Sequence, residues 1–201
     1  MTLYIVKMVC SNDMVVEDTK IIDERTREIR LRYDKETREK IAAVRNRYKR
    51  LAYTDVVHFH GLNLVSEERV PEIREVVKEA DRAMKTISPE LYAKLIEIPL
   101  GEEVIKQGKL YEQIYYAILA QMSKEILRHI ERLKSEVPTA RTKKNLIKLI
   151  DSFERLNVIG DERINRQIEE LKQITNMRVS EIKNTIMKDL DYVLGEIEKL
   201  F

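Results

Sequence analysis

The chain is poor in the residues that punctuate a fold. Five glycines and four prolines are spread over 201 residues, and neither type occurs between residues 1 and 60. Long elements and few tight turns are therefore expected. A single cysteine, Cys10, excludes an internal disulfide and with it the small secreted scaffold held by bridges. Tryptophan is absent and aromatic residues make up 6% of the chain. No apolar run approaches the roughly 18 residues that a membrane-spanning helix needs. The opening MTLYIVKMVC lacks the basic leading segment and small-residue cleavage site of a signal peptide. A cytoplasmic protein without a membrane partner is the expectation. The glycines never fall into G-x-G-x-x-G or G-x-x-x-x-G-K, and no nucleophile elbow is present, so no phosphate loop, dinucleotide fold or serine hydrolase is implied. No motif asks for a cofactor, and a non-enzymatic protein is expected. No motif is specific enough to tie the chain to a family.

What is present is charge and periodic apolar residues. Hydrophobic residues make up 43% and charged residues 36%, against about 25% charged in an average domain. The apolar positions recur with helical or strand spacing, which argues against disorder. Abundant Glu, Lys, Arg and Ile fit a protein of high working temperature, where ion-pair networks become more favourable.

LYIVKMVC predicts a strand over residues 2–10, SND a turn, and MVV a short strand pairing back. Residues 19–33 satisfy both a strand and a helix pattern and stay open. A helix is predicted over 35–52 with Asp34 as N-cap. YTDVVHFHGLNLV reads as an extended connection or short hairpin. A second helix starts at Ser66 or at Val70-Pro71 and runs to Ile87, and Ser88-Pro89-Glu90 predicts a short helix to about 97. Beyond Pro99 and Gly101 the pattern is helical: 102–135 interrupted near Gly108, 140–157 capped by Thr139 or Thr142, and a helix of about 40 residues from Asp161 onward. The expected fold is thus mainly α, a helical bundle with a long C-terminal helix and a small N-terminal β element. Its expected division is 1–99 and 100–201, or one continuous domain.

Two candidate sites stand out. HFH places His58 and His60 two apart, on one face if the segment is a strand. A metal centre needs three or four converging ligands, and neither His129 nor Cys10 sits at a recognised spacing, so no metal is expected. The second candidate is basic. Residues 25–50 hold eleven Lys/Arg against four Asp/Glu, and 124–148 hold eight against three. Arg45, Arg47, Lys49 and Arg50 interleave with Tyr48. Arg141, Lys143, Lys144 and Lys148 crowd the start of a predicted helix, where backbone N–H groups already favour an anion. Residues 61–103 are acidic, six Lys/Arg against ten Asp/Glu, and offer an internal partner for these cations. The function expected from all this is a helical scaffold or interaction protein. It would self-associate through its C-terminal helices or bind a helical protein partner. The alternative is sequence-tolerant binding of DNA or RNA through 45–50 and 141–148.

Overall fold

The computed structural model describes residues 2–12, 16–21, 27–106, 110–135 and 140–175, with isolated positions 188 and 195. The described strands are β1 (Leu3–Cys10), β2 (Val16–Ile21), β3 (Arg27–Leu31), β4 (Val57–Phe59), β5 (Leu62–Ser66) and β6 (Ala93–Leu100). The helices are α1 (Lys35–Ala52), α2 (Val70–Ile87), α3 (Glu102–Lys106), α4 (Leu110–Ser135), α5 (Ala140–Leu156) and α6 (Glu162–Thr175).

This corrects the expected fold class. The β part is no small N-terminal element: a four-stranded antiparallel sheet of order β4-β5-β1-β6 draws strands from residues 3 to 100, beside a β2-β3 hairpin. The helices run from 5 to 26 residues, and α6 is described over 14. The architecture is therefore not a bundle with a long helix; the rest of the expected C-terminal rod lies outside the described residues. Within the open segment 19–33, residues 19–21 and 27–31 are strand, β2 and β3 pairing antiparallel with Thr19 opposite Ile29, and residues 22–26 lie outside the described residues.

The chain divides into two compact units. The first, residues 5–54 and 68–98, joins most of β1 and β6 to α1, α2 and the β2-β3 hairpin. Asp34 caps α1 as expected, its Oδ1 accepting from the Thr37 N–H at 2.7 Å. A proline in the first turn starts α2, where its missing N–H has no helical partner to lose. The inward stripe of α2 is Val70, Ile73, Val77, Ala80 and Met84, all buried. Met84 packs with Ile41 of α1 and with Leu91. Burying each large aliphatic side chain contributes about 1.5–3 kcal/mol.

β6 replaces the helix expected after Ser88-Pro89-Glu90. Those three residues make a turn, with the Leu91 N–H bonded to the Ser88 carbonyl at 3.0 Å. Ala93 is then buried and Leu95 and Glu97 are half-buried, while Lys94, Ile96 and Ile98 are exposed. That alternation has the period of two that a strand lying on a helix requires. Ser11 fixes the start of β6: its N–H donates to the Tyr92 carbonyl at 2.9 Å, and its Oγ accepts from the Tyr92 N–H at 2.7 Å.

The second unit holds residues 1–4, 55–67 and 99–201. Here α4 buries Ile114, Tyr115, Ile118, Leu119, Met122 and Ile126. The inward faces of α5 (Leu146, Leu149, Ile150, Phe153, Leu156) and of α6 (Ile164, Ile168, Leu171) are buried as well. Among the described residues, most of the apolar stripe positions foreseen in this half of the chain are turned into the unit's own core; the stripe foreseen beyond residue 175 lies outside them. α5 lies against α6 and α4, and β4 packs on α4.

Candidate functional site

The HFH segment is a hairpin. Val57 pairs with Leu64, His58 with Asn63 and Phe59 with Leu62. His60 and Gly61 form its two-residue turn, with φ of 46° and 77°. Positive φ at both central positions matches the twist of the flanking strands and is costly for a residue with a Cβ. His60 therefore leaves the strand and does not share a face with His58. His58 is exposed, its Nδ1 2.9 Å from Asn63 Oδ1, while the His60 ring stands edge-on to Phe59 at 4.4 Å. Gln121 of α4 holds the hairpin at its root, accepting from the His58 N–H at 2.9 Å and donating to the Val56 carbonyl at 3.1 Å. Among the described residues no three His, Cys, Asp or Glu side chains gather where a metal ion would be held.

The basic stretches fall in different units. On α1, Arg45 and Lys49 are half-buried beside Cys10. Burial pushes that thiol up, against the pull of Lys49 and Arg45. Arg47 and Arg50 are exposed, the Arg47 guanidinium 5.5 Å over the Tyr48 ring. On α5, Arg141, Lys144 and Lys148 are exposed with Ile147, and Lys143 is half-buried. Positions i, i+3 and i+7 share one side of a helix, so these three cations form a stripe about 10 Å long at 1.5 Å per residue. The first turn of α5 contains no acid.

Among the described residues none of Arg47, Arg50, Arg141, Lys143, Lys144 or Lys148 forms an ion pair within 4.0 Å. Other surface charges do. Lys172 meets Glu154 at 2.7 Å and Glu169 at 2.6 Å, and Lys40 meets Glu36 at 2.6 Å. The acids of α2 also have near neighbours: Glu72 with Arg69, Glu75 with Lys78, and Asp81 with Lys85. The acidic stretch thus has cations of its own close by.

One cationic feature escaped the sequence reading because it lies inside the segment that is acidic on balance. Arg74, Lys78 and Arg82 recur every four residues on α2 and line, with Lys94 of β6, a groove of about 420 Å³; Arg74 is bonded to Glu97 and Lys78 to Glu75. The i, i+4, i+8 spacing was the signal available. Val77 and Leu95 also line the groove.

A last polar cluster is structural. Asp161, 5% exposed, caps α6. Its Oδ1 accepts from the Arg163 backbone N–H at 2.8 Å, and its Oδ2 from Arg163 Nη2 at 2.7 Å and from the Tyr111 hydroxyl at 3.0 Å. Arg163 in turn stacks 3.7 Å over Tyr115. Burial pushes the Asp161 carboxyl up, but the bonds from Arg163 and Tyr111 outweigh it and hold the group below its ordinary value. Every strong donor nearby is already engaged, which suits a cap rather than a catalytic acid. In comparison with known proteins, no family model, no curated protein and no solved structure matches this chain.

Proposed function

We propose that this chain is a non-enzymatic binding protein that takes nucleic acid on the outer face of α5, through phosphates and without sequence preference. The observation behind this reading is the stripe of Arg141, Lys144 and Lys148, exposed and without ion pairs among the described residues. A cation already paired with a neighbouring carboxylate gains little from a phosphate. An unpaired one gains the release of condensed counterions. Contacts of that kind position a duplex or a single strand but read no base. Arg47 and Arg50 of α1 supply the same chemistry in the other unit. Self-association through the C-terminal helices ranks behind this reading. Among the described residues the inward faces of α4–α6 are buried within their own unit, and on those three helices Tyr116, Leu127 and Ile147 are the large apolar side chains left exposed.

Fluorescence anisotropy with labelled oligonucleotides of unrelated sequence, at rising salt, tests it. Three phosphate contacts predict a slope of log affinity on log salt of roughly −2.7 on duplex and about −2 on single strands. The double variant Lys144→Glu/Lys148→Glu should flatten that slope and weaken all sequences alike. No binding at low salt, or binding unchanged in the variant, rejects the reading.

A further inference from the structure

We propose that the open face of β1 and β6 binds single-stranded nucleic acid, with a phosphate between Lys7 and Lys94 and a base on the ring of Tyr92. The two strands are neighbours in the sheet. Ser11, just beyond β1, donates its N–H to the carbonyl of Tyr92, just before β6. Carried along the antiparallel pair, that bond sets Val9 beside Lys94, Lys7 beside Ile96 and Ile5 beside Ile98. Burial follows the same alternation. Val6, Met8 and Ala93 are buried on one side. On the other, Lys7 and Lys94 are exposed and Ile5 and Val9 half-buried. Tyr92, Ile96 and Ile98 are 40%, 46% and 50% exposed there.

This face carries cations and no acid. Glu97 belongs to the opposite side, where it binds Arg74, and Glu90 in the turn before β6 is held by Arg32 and Tyr33. Neither Lys7 nor Lys94 forms an ion pair within 4.0 Å among the described residues. As diagonal neighbours on adjacent strands they stand about 7–8 Å apart at the backbone. Two ammonium groups so placed repel each other, and an anion between them turns that repulsion into two charge-assisted bonds. The Lys94 ammonium lies 5.1 Å from the centre of the Tyr92 ring. A phosphate draws it off the ring, and a base takes its place there.

The order of side chains selects the occupant. The two cations lie mid-face. Tyr92 lies beyond them at one end, and Ile5 and Ile98 at the other. A nucleotide chain has this order, a charged link with a flat base to either side, and bases stack readily on an aromatic ring. An amphipathic helix fits less well. It carries its acids along the flanks of its apolar stripe, so the stripe itself would fall on the lysines. A second copy laid face to face would bring four lysines together with no acid among them. A duplex keeps its bases inside the stack, out of reach of Tyr92. The site shares its ligand class with the α5 stripe and none of its residues.

The test is fluorescence anisotropy of the full chain with labelled oligo-dT, an abasic strand of the same length and a duplex of the same length. Oligo-dT should bind, and the abasic strand should bind at least about fivefold more weakly, since stacking of a single base contributes that much. Tyr92→Ala should weaken oligo-dT by a similar factor, while Tyr92→Phe, which keeps the ring, should not. Lys7→Glu/Lys94→Glu should weaken oligo-dT on the order of tenfold and leave the duplex unchanged. All three side chains are exposed, and unchanged melting of the variants separates a lost site from a lost fold. Duplex binding without oligo-dT binding overturns this proposal and leaves the α5 reading standing. Oligo-dT weakened by Lys144→Glu/Lys148→Glu but not by Lys7→Glu/Lys94→Glu does the same. Equal binding of the abasic strand, or of oligo-dT by Tyr92→Ala, also overturns it. Capture of an acidic helical peptide in place of oligo-dT assigns the face to a protein partner and overturns it too.

Discussion

At the scale of single residues, charge decides how this protein answers to acid. Asp161 caps α6 with its carboxylate buried among Arg163 and Tyr111. Its folded pKa lies below the ordinary value of 3.8. The unfolded chain therefore takes up this proton more readily than the folded one. The cap's stabilisation is fully present above the unfolded value and fades as pH falls through it toward the folded value. Asp161→Asn should cost about 1–3 kcal/mol at neutral pH, from a weakened cap and a stranded guanidinium. It should also make unfolding less steep in acid. Urea denaturation of both proteins across pH 3–7 checks this, and parallel curves would remove the role given to Asp161. The histidines show what a short motif conceals. Two imidazoles two apart read as one strand face, but His60-Gly61 supplies the turn. Only pairing with β5 turns an extended HFH into a hairpin tip, and no property of the three residues announces that.

At the scale of elements, legibility followed strength of period. The helices α1, α2 and α5 were read with bounds close to those observed, because apolar residues three and four apart coincide with caps and proline signals. β6 was missed because a local start signal, Ser88-Pro89-Glu90, outweighed a six-residue alternation that a helix pattern also tolerates. The groove cations were missed because charge was summed along the chain, while the structure sorts it by helix face. The observed alternation makes a quantitative statement about two isoleucines. Ile73, 1% exposed on α2, should cost about 2–5 kcal/mol when truncated to alanine. Ile96, half exposed on β6, should cost less than about 1 kcal/mol. Chemical denaturation of the two variants separates the strand from the expected helix. A helix through 90–97 would bring Leu91, Leu95 and Ile98 to one side and assign the losses differently.

At the scale of the whole molecule, the sequence order of segments is not their order in space. The change of character at Pro99 and Gly101 is visible in composition, yet the second unit also takes in residues 55–67. The hairpin within that segment buries Val57, Leu64 and Val65, with Val56 just before it, each at most 1% exposed. Gln121 of α4 bonds to its backbone, and Ser152 of α5 donates to Asp55 at 2.6 Å. Four aliphatic side chains at about 1.5–3 kcal/mol each amount to roughly 6–12 kcal/mol, comparable to the 5–15 kcal/mol of a typical domain's whole stability. A fragment of residues 100–201 loses all of that while keeping every helix from α3 onward. It should retain helical circular dichroism but melt broadly, and bind hydrophobic dye. Adding a peptide of residues 55–67 should sharpen the transition. A fragment that melts as cooperatively as the full chain would mean that the helices alone close the core, and that the hairpin is an ornament on them.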